Sequence, residues 1–437
     1  MRLGDADKKV GYTRPTAVPH DRFVQNGVDL HYQQWNPTAS SRPPILLLHG
    51  LSSNASFWGR LAARLPDRRL IALDQRAHGQ SAAPAAGYEP ATLAADAAAL
   101  VERLGVDRIV VAGHSWGATI ALQLAADRPD LVAGLAIVDG PVRPWSETGL
   151  SWEQAEKFMQ PELPLYADLE QALAEKRRTL KSAWADDLVD FVKAGLVEEG
   201  GRLRLPLTAP IRLQILRSMY FQAYGVLWPQ VRCPVLLALA AGGEESIFTD
   251  FKKRAAALIA EQVPETVVHW YESGHDIPIE RPAEVAADLE RLCLRAGLAD
   301  VTADIAALEG GWDRPTGYLD WTAKDLLAHL SSTQAALPAV ARSRASQADP
   351  APTVAFDSDR WNASQVRRRK DLPAEDLIAE LTAAAVEMDG VLAGLPLDKP
   401  IGSGPYAGTT AASAMGSMID HQRDHLAELK RSLSTSP

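Results

Sequence analysis

Short apolar runs alternate with Ala-rich amphipathic segments along the first two thirds of the chain. The runs are apolar at most positions, which is typical of strands covered on both faces in a parallel sheet; they lie at residues 45–48, 70–73, 108–112, 135–138, 235–239 and 266–270. The alternation predicts an α/β fold between about Arg22 and Leu294. Asn26-Gly27 stands between two further β-rich runs, so we expect the sheet to begin with an antiparallel hairpin.

The alternation of strand-like runs with helical segments stops between residues 141 and 231. Aromatic side chains recur there at helical spacing, Trp152, Trp184 and Tyr220 among them, and no strand pattern is present. We therefore expect a helical lid inserted into the α/β domain.

After Leu294 the pattern is helical throughout. Apolar positions recur with the period of a helix over residues 302–308, 322–342, 374–392 and 411–433. These segments predict an all-α four-helix bundle. The short junction at residues 295–300 places the domain boundary there. We expect an α/β domain over residues 1–296, with its lid at about 141–231, and a bundle over residues 297–437.

Composition narrows the class of protein. The chain has 437 residues with 45 basic and 55 acidic side chains, and its net charge of −10 opposes nonspecific binding to nucleic acid or anionic lipid. Its apolar runs are far too short to span a bilayer, its start has no apolar stretch of the kind that marks export, and two cysteines cannot form a disulfide framework. We expect a cytoplasmic protein with a small-molecule substrate and no nucleic-acid or membrane partner.

The clearest chemical motif is Gly113-His114-Ser115-Trp116-Gly117. It follows a predicted strand and opens a helical run, which is the setting of a nucleophile elbow. Such a sharp turn leaves no room for side chains two positions on either side of the nucleophile, hence the two glycines. Ser115 is therefore the predicted nucleophile, raised above the sheet at the start of a helix.

A serine hydroxyl needs a base that takes its proton, and after an elbow of this kind the base comes late in the chain. His275 meets that requirement, because it lies just past the run at residues 266–270 and before a helical segment. His269 lies inside that run, and His20 and His31 come too early. We expect His275 to be the base.

Two strand ends can supply the acid that orients the imidazole. Asp139 closes the run at residues 135–138, and Glu244 and Glu245 follow the run at residues 235–239. Both loops lie at the carboxyl edge of the sheet, where such sites collect. Asp139 has the shorter reach and stands directly before the lid. It is the favoured acid, with Glu245 and then Glu244 as alternatives.

The oxyanion formed in acyl transfer needs hydrogen-bond donors that are already in place. The residue after the nucleophile and the loop after an early strand supply them in such sites, which points to the backbone N–H groups of Trp116 and Leu51. Gly50 beside Leu51 lets the loop approach closely.

Together these motifs resemble the α/β-hydrolase family over residues of about 20–295. The resemblance rests on His49-Gly50, on the D-x-R-x-H-G-x-S loop at residues 74–81, on the elbow and on Gly274-His275. It implies hydrolysis of an ester, lactone, thioester, amide or C–C bond without a cofactor. The loop after residue 239 lacks the Asp that most members use as the acid. In lid-bearing branches similar to haloalkane dehalogenases the acid follows the strand before the lid, where Asp139 stands.

In the last third, histidines are spaced so that a helical bundle can bring them together. Thr322, three residues before Asp325, predicts a helix start that places His329 about two turns into the helix. His421 and His425 are spaced i and i+4, so their imidazoles share one helix face and can share one divalent ion.

This last third, from about Leu298 to Leu433, resembles the DinB-like bundle superfamily, which includes mycothiol-dependent maleylpyruvate isomerase-type domains. The matching residues are W-T-x-K-D-L-L-A-H-L at 321–330, D-R-W-N at 359–362 and the late H-x-x-x-H. The resemblance implies that His329, His421 and His425 hold zinc, nickel or another divalent ion, with a low-molecular-weight thiol as a partner. A purely structural bundle, or one that forms a homodimer, is the alternative.

The sequence leaves three functions open. The leading hypothesis is a serine hydrolase that acts on an ester, lactone or related carbonyl bond of a small hydrophobic substrate, because the lid is rich in apolar side chains. In the second, the bundle is the main catalyst, a metal- and thiol-dependent transferase or isomerase that detoxifies an electrophilic metabolite. In the third, the chain is a binding or sequestration protein with a vestigial hydrolase site.

Overall fold

The computed structural model describes residues 20–37, 43–141, 143–159, 163–241, 247–345, 357–397 and 409–434. The chain forms two compact units that divide along the sequence between Leu289 and Glu290. This division lies within one continuous helix, Pro282–Ala306, and so does the boundary expected after residue 296. The separate bundle helix predicted at residues 302–308 is therefore wrong, because it is the end of the helix that begins at Pro282.

The first unit is built on a mixed sheet. The strands of this unit are β1 His20–Gln25, β2 Val28–Trp35, β3 Ile45–Leu48, β4 Leu70–Leu73, β5 Ile109–His114, β6 Val132–Val138, β7 Leu165–Tyr166, β8 Val197–Glu199, β9 Arg202–Arg204, β10 Val235–Ala240 and β11 Thr266–Tyr271. Eight of them form one sheet in the order β1-β2-β4-β3-β5-β6-β10-β11. β2 is antiparallel to β1 and β4, and the remaining neighbours are parallel. The predicted hairpin at Asn26-Gly27 is confirmed.

The helices of this unit flank the sheet strands in sequence and supply the lid. They are α1 Gly59–Ala62, α2 Pro90–Arg103, α3 Trp116–Asp127, α4 Trp152–Met159, α5 Leu169–Leu180, α6 Val189–Ala194, α7 Ala209–Phe221, α8 Tyr224–Leu227, α9 Ile247–Gln262, α10 Ile277–Glu280 and α11 Pro282–Ala306, the last of which continues into the second unit. Strands β3, β5, β6 and β10 are buried along their whole length, as expected of strands covered on both faces. Apolar residues of α2, α3 and α9 share one core with them.

The segment between β6 and β10 contains helices α4 to α8, as a lid of this kind requires. It also contains a small antiparallel sheet of β7, β9 and β8, so the expectation of a lid without strands is wrong. These strands are only 2 or 3 residues long, too short to show an alternating pattern. The sequence feature that could have predicted the hairpin of β8 and β9 is Gly200-Gly201. In the structure these glycines have positive φ angles of 59° and 76°, which suit a tight two-residue hairpin turn.

The second unit is all-α. After α11 it contains α12 Ala323–Ala345, α13 Ser358–Arg369, α14 Ala374–Gly394 and α15 Ala411–Ser434. Apolar side chains of α11, α12, α14 and α15 pack together in its core, among them Val301, Leu326, Leu381 and Leu429. Helix α13 has no predicted counterpart because its sequence is strongly polar, and it begins with the Asp357 side chain accepting a hydrogen bond from Arg360 N.

No helix in the described ranges combines the length and the apolarity that a membrane crossing requires.

Candidate active site

Ser115 lies in the sharp turn between β5 and α3. Its backbone has φ 52° and ψ −121°, a strained conformation for a residue other than glycine. A Cβ at Gly113 would lie 2.3 Å from the carbonyl oxygen of Gly117, and a Cβ at Gly117 would lie 2.2 Å from that of Leu48. Both positions are therefore closed to side chains, as a nucleophile elbow requires.

The loop after β3 passes directly beside Ser115. A Cβ placed on Gly50 would lie 3.0 Å from the Cβ of Ser115. Leu51 follows in this loop, and Trp116 is the first residue of α3, where backbone N–H groups have no acceptor within the helix. The structure thus brings the backbone that carries both predicted oxyanion donors next to the predicted nucleophile.

The structure also brings the predicted base and the favoured acid together. His275 lies in the loop between β11 and α10, and Asp139 directly follows β6. The distance between His275 Nδ1 and Asp139 Oδ2 is 2.7 Å. The His275 side chain is 54% exposed and that of Asp139 only 2%, so the ring faces solvent while its partner is enclosed. The alternative acids Glu244 and Glu245 lie outside the described residues.

Asp139 is held through both carboxylate oxygens. Oδ2 faces His275, while Oδ1 accepts hydrogen bonds from Ala240 N at 2.9 Å and from Lys252 Nζ at 2.6 Å. Lys252 lies on α9 and was missed by the sequence analysis, because a lysine on an amphipathic helix looks like any solvated charge. Only the fold, which brings Lys252 of α9 to the residue that follows β6, reveals its contact with the acid.

The charges of Asp139, His275 and Lys252 determine where the proton of the imidazole lies. Burial alone would raise the pKa of the Asp139 carboxyl, but the His275 hydrogen bond and the Lys252 charge outweigh burial and hold the pKa below its usual value. Loss of hydration would lower the pKa of His275, yet the hydrogen bond and the negative charge of Asp139 prevail and raise it above the ordinary 6.5. An ionised carboxylate can only accept, so Nδ1 carries the proton and Nε2 is left as the basic atom.

Replacing Lys252 by Met is expected to move the acidic limb of the pH–rate profile to higher pH. The imidazole must be neutral to accept a proton, so activity falls as the pH drops through the pKa of His275. Lys252 opposes the rise of that pKa. Removing its charge should therefore raise the pKa further. The measurement is kcat/KM for an ester from mildly acidic to alkaline pH. Lys252→Arg, which keeps the charge, is the matched control, and an unmoved limb in Lys252→Met would contradict this role.

His114, the residue before the predicted nucleophile, ties the elbow to the loop of the base. Its Nε2 donates a hydrogen bond to the carbonyl oxygen of His275 at 3.0 Å. The ring stacks on Phe57 with 4.6 Å between centroids. Burial, together with the nearby His275, lowers the pKa of His114 to about 4, so this ring stays neutral while His275 titrates. From the sequence, His114 is recognisable only as part of the elbow motif.

Hydrogen bonds of Asp74 and His49 fix the backbone around the loop after β3. The Asp74 carboxylate accepts hydrogen bonds from Ala55 N at 2.6 Å and from the His31 ring at 2.7 Å. His49 is fully buried, and its Nε2 accepts from Gln75 N at 3.2 Å. These contacts hold the loop backbone in place, and they leave His49 in a structural position away from proton transfer.

In the second unit the three histidines predicted as metal ligands lie together. His329 is on α12, and His421 and His425 are one turn apart on α15. One ring nitrogen of each lies within 4.8 Å of the others, and the Nε2 atoms of His329 and His421 are 3.1 Å apart. The predicted helix start is also present, since Thr322 Oγ1 accepts from Asp325 N and Asp325 Oδ2 accepts from Thr322 N.

These side chains fit a divalent ion. Burial and the neighbouring imidazoles lower the pKa of His329 to about 3 and that of His425 to about 4, and burial lowers the pKa of His421. The rings are therefore neutral at neutral pH, the form that ligates metal. His329 Nδ1 is buried without a hydrogen-bond partner in the described part of the chain. Imidazole nitrogens that share one zinc ion lie roughly 3 Å apart, close to the His329–His421 spacing.

Comparison with known proteins agrees with this two-part architecture. Residues 43–192 match the alpha/beta hydrolase fold family, and residues 294–427 match the mycothiol maleylpyruvate isomerase N-terminal domain. Lipase LipV of Mycobacterium tuberculosis is 30% identical over 271 residues, which cover 60% of this chain and 96% of that protein. The 2-(acetamidomethylene)succinate hydrolase of Mesorhizobium japonicum is 36% identical over 133 residues, 30% of this chain and 47% of that protein.

Solved structures show the same fold. The crystal structure of E-2-(acetamidomethylene)succinate hydrolase aligns with a TM-score of 0.54 and 24% identity, over 63% of this chain and 99% of its own. A thioesterase domain from the curacin biosynthetic pathway aligns with a TM-score of 0.53 and 18% identity, over the same shares. With the similarity to LipV along nearly all of that protein, this places the chain in the α/β hydrolase family, while residues 294–427 match the mycothiol maleylpyruvate isomerase N-terminal domain.

Proposed function

We propose that the chain is a serine hydrolase that cleaves an ester, lactone or related carbonyl bond of a small hydrophobic substrate. Ser115 is the nucleophile, His275 the base, and Asp139 the acid that holds the imidazole. The N–H groups of Leu51 and Trp116 receive the oxyanion. The observation that carries the proposal is the 2.7 Å contact between His275 and Asp139 at the same sheet edge as the strained elbow.

The reaction proceeds in two acyl-transfer steps. The proton of Ser115 Oγ moves to His275 Nε2 as the oxygen bonds to the carbonyl carbon, and the carbonyl oxygen becomes an oxyanion. The tetrahedral intermediate then expels the leaving group, which takes the proton from Nε2. Water attacks the acyl enzyme with His275 again as base, and the acid product leaves with Ser115 restored.

The preference for a hydrophobic substrate is supported by apolar side chains of the lid and of the loop after β3. Leu51, Trp145, Trp152 and Met159 are partly buried apolar side chains that pack against the core. Such side chains offer apolar surface to a ligand without requiring polar partners. The likeness to a protein named as a lipase supports an ester as the bond.

A fluorophosphonate probe, which reacts with activated serines, tests this function. We expect the wild-type protein to be labelled and Ser115→Ala to remain unlabelled, because activation depends on the base beside Ser115. Ser151→Ala, at an exposed lid serine, is the matched control and should label normally. Hydrolysis rates of p-nitrophenyl esters with increasing acyl chain length, measured in parallel, indicate the size of the acyl pocket. An unlabelled wild type, or labelling that persists in Ser115→Ala, would exclude the proposed mechanism.

The histidine cluster supports a second function. We propose that His329, His421 and His425 bind a divalent ion, zinc or nickel, and that the bundle is a metal- and thiol-dependent transferase or isomerase with a low-molecular-weight thiol as partner. The bound ion would act as a Lewis acid that lowers the pKa of a thiol or water at an open position. The rings of Trp321 and Tyr318 lie next to the cluster, 5.5 Å from His329 and 4.8 Å from His425 between centroids.

Metal content tests this second function. After exposure to zinc or nickel and exhaustive dialysis without chelator, wild-type protein should retain roughly one equivalent of metal, as three imidazole ligands predict. The double variant His421→Ala/His425→Ala should lose it, because one imidazole cannot hold the ion alone. His20→Ala is the matched control and should retain it. A wild-type protein that retains none would leave the bundle with a structural or dimer-forming role.

A further inference from the structure

Arg212 of the lid reaches the loop that carries a proposed oxyanion donor. It lies on α7, and its Nη1 donates to Ser52 Oγ at 2.7 Å. Its Nε and Nη2 donate to the carbonyl oxygen of Met159, at 3.3 and 2.9 Å. Ser52 directly follows Leu51, so the guanidinium lies where the lid meets the loop after β3.

Within the described part of the chain, the hydrogen-bond partners of Arg212 are neutral. Among the described residues no carboxylate lies within ion-pair distance of it, whereas Arg60 and Arg76 of the same unit pair with Asp187 and Asp96. Arg212 is partly buried, and the resulting loss of hydration lowers its pKa. A partly buried charge that faces neutral groups is stabilised when a ligand supplies the opposite charge.

The hydrogen bonds that Arg212 makes within the described ranges do not use all of its donor hydrogens. Its bonds to Ser52 and Met159 use one hydrogen on each nitrogen, and the second hydrogens of Nη1 and Nη2 remain. Guanidinium groups present such hydrogens in a planar arrangement that suits the two oxygens of a carboxylate. Leu51, next to Ser52 in sequence, and Met159, whose carbonyl oxygen Arg212 contacts, are partly buried apolar residues.

We propose that Arg212 binds a carboxylate on the substrate, and that the enzyme therefore acts on carbonyl compounds that also carry an acid group. This rests on the proposed hydrolase function of Ser115. The apolar part of the substrate lies against the aromatic lining of the lid, and the acid group pairs with Arg212. Since Ser52 is adjacent to Leu51, the acid group lies within the length of a short carbon chain from the oxyanion. A neutral ester of the same size gains nothing from this contact.

Matched ester pairs test the proposal. The substrates are the mono-p-nitrophenyl esters of the dicarboxylic acids from succinic to pimelic acid, each with its neutral methyl-capped counterpart. The rate with Ser115→Ala is subtracted to remove spontaneous hydrolysis. Arg212→Gln is expected to lower kcat/KM for the best acid ester by about 10- to 100-fold, as for loss of a charged hydrogen bond, and that for its neutral counterpart by less than about threefold. Arg212→Lys, which keeps the charge without the planar fork, should be intermediate.

A purely structural role of Arg212 predicts a different result. If its contacts with Ser52 and Met159 only fasten the lid, both esters lose activity equally in Arg212→Gln. Arg60→Gln is the matched control, because it breaks another lid contact, the pair with Asp187, and should affect the two esters alike. Equal losses in Arg212→Gln, or a wild type that does not favour the acid ester, would overturn the proposal.

A binding measurement separates this proposal from the hydrolase function. Calorimetry with Ser115→Ala protein follows binding of the acid ester without turnover, and the Ser115→Ala/Arg212→Gln variant should bind it about 10- to 100-fold more weakly. That result, with an unlabelled wild type in the fluorophosphonate test, would support the carboxylate site while the hydrolase function fails. Equal binding by both variants would reject the site whatever the catalytic outcome.

Discussion

Ser115→Ala is expected to lower kcat/KM for p-nitrophenyl esters by about 10³- to 10⁶-fold, the range for loss of a serine nucleophile. Without Oγ no acyl enzyme forms, and only the oxyanion donors and substrate binding remain to assist attack by water. The loss should fall mainly on kcat, because the hydroxyl contributes little to binding of the ground state.

The measurement is steady-state hydrolysis of the best ester of the chain-length series, with Ser151→Ala as the matched control. Ser115 has a strained backbone, and Ala adopts the same φ and ψ with similar difficulty. The folded state is therefore retained, which a thermal melt verifies. Activity within tenfold of wild type would show that another group attacks the substrate.

Asp139→Asn is expected to lower kcat by about 10²- to 10⁴-fold, as for an aspartate-to-asparagine change in a triad. Ala240 N and Lys252 both donate to Oδ1, so the amide oxygen of the Asn takes that position and its NH₂ faces His275. The imidazole then has to accept at Nδ1 and carry its proton on Nε2. In this tautomer it cannot take the proton of Ser115.

Glu244→Gln and Glu245→Gln are the matched controls for the acid, because these are the residues that the sequence offered as alternatives. Both should retain wild-type rates if Asp139 is the acid. A larger loss in Glu245→Gln than in Asp139→Asn would transfer the role to the loop after β10.

Replacing Asp139 removes the charge that raises the pKa of His275, so the residual activity should also extend to lower pH.

The candidate site contains parts that a local sequence pattern predicts and parts that it does not. The elbow around Ser115 was predictable because the strand, the turn glycines and the helix are consecutive in sequence. For the acid, the sequence favoured Asp139 but left Glu245 and Glu244 open, because β6 and β10 are neighbours in the sheet and the residues after both strands arrive at the same edge. Choosing between Asp139 and the two glutamates depends on which carboxylate reaches His275, and this is a distance between segments far apart in the chain.

The sequence by itself determined the α/β class, the helical C-terminal third and the family. Each follows from spacings within one segment, since hydrophobic period and turn glycines act on neighbouring residues. Only the tertiary structure decided that α11 runs through the predicted boundary, that the lid contains a small sheet, and that Lys252 meets Asp139. It alone placed the guanidinium of Arg212 beside Ser52. The physical reason is that burial and pairing of charges depend on contacts between segments far apart in the chain. Patterns among neighbouring residues do not show which of these segments meet.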